Sequence, residues 1–304
     1  MTQREVAVIG AGPAGLGAAI QLRRFGLSTL VLEARCVGGL LNNADRVENY
    51  PGFPEGIRGR ELVHLFDAQA RRIGVEVIDE EVTGLSYEGG VFRVATGRRA
   101  HRARAVVVAS GTRPVLFPPG MIPAGLEQSV LYEVWPISDS EGKRVVVAGG
   151  GDAAFDYALG LARSNEVVLL SRGDAPRALS SLRVRVRDCA SIWHLLRTEI
   201  ISVSPGQRRA LLIGCVHAGR PVIIETDYLV GALGRVPRLD FVSASLAQQT
   251  ERLEAEGALH FAGDVKNGTF RQTAIAVGDG LRAAMRIHGR LKERSEETGA
   301  PGKS

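Results

Sequence analysis

Three glycines near the start of the chain, Gly10, Gly12 and Gly15, have the spacing GxGxxG. A glycine turn of this kind can bind a pyrophosphate, because backbone N–H groups at the start of the following helix face the anion. Glu33 follows at the separation along the sequence that is typical of an acid whose carboxylate accepts the hydroxyls of an adenosine ribose. Together these residues predict the binding of an adenine dinucleotide.

The elements that must position these residues lie in the same stretch. The apolar run at residues 6–9 predicts a buried parallel strand, and the Ala/Leu-rich segment 13–25 predicts a helix that begins at Pro13. A second apolar run, 29–32, predicts the strand that ends at Glu33. Strand, glycine turn, helix and strand are the beginning of a Rossmann-like fold.

The same pattern occurs a second time. Residues 144–148 predict another buried strand, and Gly149, Gly151 and Ala154 give GxGxxA at the start of another predicted helix. Because the unit is repeated, we expect a duplicated nucleotide-binding architecture rather than a single Rossmann dehydrogenase with a substrate domain.

Each copy also has the spacing A-x-G-x-x-P after a later strand. The first occurrence covers residues 109–114, at the end of a predicted strand at residues 104–109. It occurs again at 232–237, after one predicted strand that covers 222–231. Between the two copies of the glycine turn, we expect a small antiparallel layer with turns at Gly84, at 89–90 and at Gly97.

The two glycine turns differ in the residues that end the next strand. The predicted strand 167–170 ends in Ser171 and Arg172 rather than in an acid, and Arg177 comes shortly after. Cations at this point suit the 2′-phosphate of NADPH, so NADPH is favoured over NADH. The alternative is that these arginines are surface residues after a strand.

A last predicted strand, 259–262, leads to Asp264, which could accept a polyol hydroxyl. The segment from Thr273 to about residue 287 predicts a helix, whose N-terminus would offer positive potential to a ring that becomes anionic on reduction. The charged, Gly/Pro-containing residues 291–304 are expected to fray.

Composition limits the function further. The 304 residues are 45% apolar, which is enough for two domains, and no apolar run is long enough for a membrane span. The net charge of +5 comes mainly from arginines, and the four lysines do not cluster, so no nucleic-acid partner is expected. With no leader before the first strand, we expect a cytoplasmic protein.

The chain has three cysteines, Cys36, Cys189 and Cys215, and no CxxC. Cysteines that are this far apart and odd in number indicate unpaired thiols in a reducing compartment, without a disulfide framework or metal site.

The motifs GAGPAG, VENYPGFPEGIRG, ASGTRP, GKRVVVAGGGDAA, GALGR, AGDV and RQTAIAVGDG occur in this order along nearly the whole chain. They resemble those of the low-molecular-weight thioredoxin reductases and their ferredoxin/flavodoxin-NADP reductase relatives. The resemblance implies an α/β homodimer with two Rossmann-like three-layer domains. It implies a FAD-binding domain of residues 1–116 and 239–304, with an NAD(P)H-binding domain inserted at 117–238.

The resemblance also implies the residues of the two sites. Around FAD it implies Gly10, Gly12, Gly15, Glu33, Gly39, Asn49, Ala109, Gly111, Asp264, Arg271 and Gln272. Around NADPH it implies Gly149, Gly151, Ala154, Arg172 and Arg177.

Two departures from the family pattern matter. Thioredoxin reductases have a redox-active CxxC where this chain has YEVWP, so Tyr132 and Trp135 replace the two cysteines. Without a thiolate, dithiol–disulfide exchange has no nucleophile, and we expect a protein that is not a conventional thioredoxin reductase. In the pattern HRRxxxR, Ser171 and Gly173 replace the histidine and one arginine.

Three functions remain open from the sequence. The leading hypothesis is a FAD-dependent NAD(P)H oxidoreductase that exchanges electrons with an external acceptor, such as ferredoxin or flavodoxin. In it, no protein side chain is assigned as catalytic, and Tyr132 or Trp135 either covers the flavin or packs a domain interface. An alternative is a ferredoxin-linked or other donor-linked reductase of an external disulfide or small molecule, which needs one of the three cysteines near the flavin. The third is a redox or nucleotide sensor without turnover.

Overall fold

The computed structural model describes residues 3–297, which divide into two compact units. Unit 1 comprises the chain up to Asn42, Glu48–Arg113 and the chain from Val236 onward. Unit 2 comprises Asn43–Val47 and Pro114–Arg235. The chain therefore leaves unit 1 and later returns to it.

Seven helices and seventeen strands are present in the described residues. The helices are α1 (Pro13–Arg24), α2 (Gly59–Arg72), α3 (Asp152–Leu161), α4 (Ser180–Arg187), α5 (Ala244–Ala247), α6 (Thr250–Ala255) and α7 (Thr273–Glu297). The strands are β1 (Gln3–Ile9), β2 (Thr29–Glu33), β3 (Val77–Asp79), β4 (Val82–Glu88), β5 (Val91–Thr96), β6 (Ala100–Val108), β7 (Thr112–Pro114), β8 (Val130–Leu131), β9 (Arg144–Ala148), β10 (Glu166–Leu170), β11 (Ile192–Leu195), β12 (Thr198–Pro205), β13 (Leu211–His217), β14 (Arg220–Thr226), β15 (Tyr228–Gly231), β16 (Arg235–Pro237) and β17 (Leu259–Phe261). Short 3-10 helices cover Gly39–Asn43, Glu127–Ser129, Trp135–Ile137 and Gly263–Val265.

The sheet of unit 1 has the order β3-β2-β1-β6-β5-β4, with β17 also paired to β6. Strands β1, β2, β3, β6 and β17 are parallel, whereas β4, β5 and β6 form an antiparallel layer. Val8 is opposite Val31 on one side and Val107 on the other, and all three are fully buried. Burial on both faces explains why these strands have continuous apolar sequences.

Helices α1 and α7 pack closely on this sheet because small residues face each other. A Cβ on Gly280 would lie 2.1 Å from the carbonyl oxygen of Ala14, and a Cβ on Gly17 would lie 3.1 Å from that of Val277. This close packing keeps the N-terminal end of α1 at the carboxyl edge of β1.

Unit 2 has a parallel sheet of order β11-β10-β9-β15-β8 and a separate antiparallel sheet of order β12-β13-β14. Val146 of β9 is opposite Val168 of β10 and Leu229 of β15. Helix α3 covers the parallel sheet with the buried side chains of Phe155, Tyr157 and others. The predicted α/β class with two Rossmann-like sheets is confirmed.

Three predictions of elements are wrong. The segment 222–231 is not one strand, because β14 ends at Thr226 and β15 begins at Tyr228 in a different sheet. At this break the Asp227 side chain accepts the N–H of Arg144, and its own N–H bonds the Arg144 carbonyl. Gly84 lies inside β4 at an irregularity in the ladder rather than in a turn.

The third error concerns α7, which continues through residue 297 instead of ending near 287. Buried Ile287, Arg290 and Leu291 hold its later turns on unit 1, and Arg290 donates to the Arg104 carbonyl. The predicted fraying of 291–304 is thus wrong up to residue 297, and its remainder lies outside the described residues.

Candidate functional site: two glycine-rich turns

The first glycine-rich turn, residues 10–15, needs glycine at two of its positions. Gly10 has φ +102° and donates its N–H to the Leu32 carbonyl at 2.8 Å. A Cβ on Gly10 would lie 2.3 Å from the carbonyl oxygen of Ala109, and one on Gly15 would lie 1.8 Å from that of Gly10. Larger residues would therefore displace backbone at both positions.

Gly12 is different because a Cβ there would meet nothing within 4 Å. It is the N-cap of α1 and has an extended backbone, with no side-chain hydrogen bond at the cap. The open side of Gly12 adjoins helical N–H groups that have no intrahelical acceptor, which suits close approach of a pyrophosphate. The first turn therefore fits a dinucleotide.

Glu33, at the end of β2, faces this turn. Its Oε2 accepts the N–H of Ala11 at 2.7 Å, and its Oε1 accepts the N–H of Arg35 at 2.9 Å. Each carboxylate oxygen has a second lone pair, so two acceptor positions remain for the ribose hydroxyls. A pocket adjoins Glu33, and its lining includes apolar Leu32 and Phe241 as well as the glycine turn.

Several predicted residues of unit 1 that are distant in sequence are neighbours in the structure. A Cβ on Gly39 would lie 3.5 Å from Cα of Gly12, so the loop after β2 contacts the glycine turn. The Asn49 amide donates to Oε1 of Gln272 at 2.7 Å, although the two residues are 223 positions apart.

The other predicted residues of unit 1 lie at strand or helix ends. Ala109 donates to the Ile9 carbonyl at 2.8 Å, and Gly111 has φ +63° just before β7. Asp264 lies in the 3-10 helix after β17, and Arg271 lies two residues before α7.

The sequence did not single out Asp279, which holds the loop around Asp264. Its Oδ2 accepts the N–H of Gly263 at 3.2 Å and the Asn267 amide at 2.6 Å, and Lys266 lies 3.7 Å from its Oδ1. Asp279 is buried within α7. The acidic residue within the VGDG motif was the only sign in the sequence that this position could matter. Its hydrogen-bond partners are evident only from the fold.

The second glycine-rich turn, residues 149–154, repeats the backbone contacts of the first. Gly149 donates to the Leu170 carbonyl at 2.9 Å, and Ala232 donates to the Ala148 carbonyl at 2.8 Å. A Cβ on Gly149 would lie 2.6 Å from the oxygen of Ala232, while Gly151 again has open space beside it. This turn, too, fits the pyrophosphate of a dinucleotide.

The residues after β10 separate into buried and exposed groups. Ser171 is buried, whereas Arg172 and Arg177 are exposed. Arg177 donates its backbone N–H to the Gly150 carbonyl at 2.7 Å, which ties its loop to the second turn. Two cations are therefore available beside this turn.

Residues 132–136 are held by hydrogen bonds within unit 2. The Tyr132 hydroxyl accepts the N–H of Phe117 at 3.0 Å, and Trp135 Nε1 donates to Oε2 of Glu133 at 3.1 Å. Asn43 Oδ1 accepts the N–H groups of Val134 and Trp135 at 2.9 and 3.1 Å. Both aromatic side chains thus have structural partners.

No disulfide joins the three cysteines. Cys215 is buried, and burial raises the pKa of its thiol to about 11, so it stays protonated at neutral pH. Within residues 3–297 we find no cluster of His, Cys, Asp or Glu side chains suited to a metal ion. None of the described helices combines the length and apolar character needed to cross a bilayer.

Two Rossmann-like sheets, each with a glycine-rich turn open to a pyrophosphate, define a protein that binds two dinucleotides. Comparison with known proteins agrees with this class. The pyridine nucleotide-disulphide oxidoreductase family matches residues 4–280, and the chain belongs to this family.

Its relatives include thioredoxin reductases. The chain is 32% identical to the thioredoxin reductase of Mycolicibacterium smegmatis, and the match covers 93% of this chain and 95% of that protein. It is also 32% identical to the thioredoxin reductase of Streptomyces coelicolor, and the match covers 97% of this chain and 96% of that protein. The crystal structure of Lactococcus lactis thioredoxin reductase superposes with a TM-score of 0.83 at 26% identity, covering 96% of this chain and all of that one. Members of the thioredoxin reductase family use FAD and NADPH, and the prediction of these two cofactors is therefore confirmed.

Proposed function

We propose that this chain is a FAD-dependent NAD(P)H oxidoreductase that exchanges electrons with an external partner without an internal disulfide. In this proposal FAD binds the first glycine-rich turn, in the domain of residues 1–116 and 239–304. NADPH binds the second turn, in the domain of residues 117–238. A homodimer, a cytoplasmic location and ferredoxin or flavodoxin as the electron acceptor complete the proposal.

One observation carries the proposal beyond the family assignment. The 304 residues contain no CxxC, and Tyr132 and Trp135 occupy the positions where the family resemblance places those cysteines. Internal dithiol chemistry needs two neighbouring thiols of which one ionises. This chain has no such pair of adjacent thiols in its sequence, which supports electron transfer to an external partner without an internal disulfide.

FAD and NADPH supply the hydride and electron transfer when they are bound, and the protein's part is position and electrostatics. On this proposal Glu33 orients the ribose of FAD, and the helical N–H groups beside Gly12 and Gly151 bind the two pyrophosphates. In each turnover, one NADPH and two oxidised one-electron acceptors give NADP⁺, one proton and two reduced acceptors.

The test is anaerobic stopped-flow mixing of the FAD-loaded protein with NADPH, followed by ferredoxin, flavodoxin or oxidised thioredoxin. We expect NADPH to bleach the flavin absorbance rapidly, and ferredoxin or flavodoxin to restore it. Restoration by thioredoxin alone would contradict the proposed acceptor. An absorbance that NADPH scarcely changes would instead support a sensor without turnover.

A second candidate, the reduction of an external disulfide, is favoured by the names of the relatives, which are thioredoxin reductases. It requires one of Cys36, Cys189 or Cys215 to take part. A triple Cys-to-Ser variant is expected to lose disulfide reduction under this candidate, and to keep full NADPH oxidation with ferredoxin or flavodoxin under the main proposal. The same variant therefore separates the two.

A further inference from the structure

The loop after β10, residues 171–177, is held against the end of β11. Ser171 donates its N–H to the Leu195 carbonyl at 3.0 Å and accepts the N–H of Thr198 at 3.0 Å. Arg197 donates its N–H to the Gly173 carbonyl at 3.3 Å. Arg197 therefore lies beside Gly173, at the position where the sequence lacks the second arginine of the HRRxxxR pattern.

Ser171 itself is directed into unit 2. Its hydroxyl donates to the Gly149 carbonyl at 3.0 Å and lies 2.9 Å from Nε2 of His194, and the residue is only 2% exposed. Because its one proton is used by Gly149, the serine oxygen accepts from His194. Ser171 thus holds the second glycine-rich turn in place. Recognition of a ligand beside this turn is left to the exposed side chains.

Arg197 is exposed and has an unusual backbone. Its φ is +48°, a left-handed conformation that side-chain-bearing residues rarely adopt. The conformation is held from both sides, since the Arg197 carbonyl accepts the N–H of Ala218 at 2.9 Å in addition to the bond with Gly173. A strained non-glycine residue that persists at such a position is a candidate for a functional role.

The Arg197 side chain is aimed at the same loop. Its Nε lies 3.3 Å from Oδ1 of Asp174, and the side chain is 66% exposed. This contact involves Nε, and a guanidinium has two further amino groups that can donate to a phosphate in a forked geometry. Asp174 can therefore orient the guanidinium through Nε and leave its two amino groups available for a ligand.

We propose that Arg197 determines specificity for the 2′-phosphate of NADPH, together with Arg172 and Arg177. The residue lies in the connection between β11 and β12, beside Gly173, where the loop after β10 lacks an arginine in sequence. This inference rests on the proposed binding of NADPH at the second glycine-rich turn.

The test is the variant Arg197→Gly in the full-length, FAD-loaded protein. Glycine adopts the positive φ without strain, so the melting temperature should not fall, whereas loss of a merely structural arginine would lower it. Isothermal titration with 2′,5′-ADP and with 5′-AMP measures the affinity for the 2′-phosphate without turnover. We expect 2′,5′-ADP to bind about tenfold more weakly to the variant, and 5′-AMP to bind unchanged.

The matched control is Arg208→Gly, an exposed arginine in the turn after the far end of β12, which should change neither affinity. An unchanged ratio of the two affinities in Arg197→Gly, or an equal loss of both, would overturn the inference and leave the proposed function intact. A wild-type protein that binds neither ligand would overturn both.

Discussion

The two glycine-rich turns have the same backbone plan but tolerate side chains differently. In the first turn Gly10 has a left-handed backbone conformation, and a Cβ on Gly15 would lie 1.8 Å from the carbonyl oxygen of Gly10. In the second turn the residue equivalent to Gly15 is Ala154, which already carries a Cβ and is buried. The same local motif is therefore built more tightly in unit 1 than in unit 2.

The side chains at the carboxyl ends of β2 and β10 show a chemical difference. Glu33 and Ser171 both bond to their own glycine turn, Glu33 to the Ala11 N–H and Ser171 to the Gly149 carbonyl. The carboxylate keeps spare acceptors, whereas the proton of the hydroxyl is already used. The first site is thus suited to a neutral ribose diol, and the second leaves recognition to cations beyond the turn.

The largest effect is expected from Gly15→Ala, which gives the first turn the residue of the second. Its Cβ would meet backbone rather than a movable side chain, so we expect a loss of about 3 kcal/mol or more in the free energy of unfolding. Urea denaturation and the flavin content of the purified protein measure it. A variant with wild-type stability and flavin content would show that the first turn can relax to the geometry of the second.

One buried titratable group in each unit should change stability with pH, and the two changes should have opposite signs. Burial raises the pKa of Asp156 in unit 2 to about 6, so this carboxyl makes the unit less stable as pH rises from about 4 to 6. Burial, helped by Arg286, lowers the pKa of His260 in unit 1 to about 4, so this imidazole makes its unit more stable as pH rises from about 4 to 6.5. Each effect is on the order of 2 kcal/mol.

Calorimetric melting of Asp156→Asn and His260→Gln between pH 4 and 7 checks this contrast. Relative to wild type, the Asp156 variant should gain stability as pH rises, and the His260 variant should lose it. Parallel pH profiles of the two variants would refute the opposite signs.

A smaller effect is expected from Glu33→Gln. The amide keeps one acceptor oxygen but presents N–H groups toward those of Ala11 or Arg35, and a charge-assisted bond to the ribose is lost. We expect FAD affinity to fall by about tenfold to a hundredfold, measured by flavin release during equilibrium dialysis. The comparison variant Ser171→Ala leaves the Gly149 carbonyl and His194 without this partner, so it should lower the free energy of unfolding by about 1–3 kcal/mol and leave FAD affinity unchanged.

The smallest effect is expected from Ala154→Gly, which gives the second turn the residue of the first. Glycine in the first turn of α3 should reduce the free energy of unfolding by about 1 kcal/mol, with no change in affinity for 2′,5′-ADP. Thermal melting and titration of the same preparation measure both quantities. A loss as large as that of Gly15→Ala would mean that the two turns are packed alike.

Much of the fold could be predicted because parallel strands buried on both faces have continuous apolar sequences. Strands β1, β2 and β9 and helix α1 were predicted within a few residues for this reason. The segment 222–231 was mispredicted by the same rule, since its apolar sequence gave no sign that Asp227 separates two strands in different sheets.

The two glycine turns and the acid after the first could be recognised from short stretches of sequence, because a positive φ, a close backbone contact and a strand-end carboxylate are local requirements. The contacts of Asn49 with Gln272, of Asp279 with Gly263 and of Arg197 with Gly173 form only when the chain folds. These contacts depend on which strands and helices become neighbours when the sheets form, and that choice is made by packing of the whole unit, which no short stretch of sequence contains.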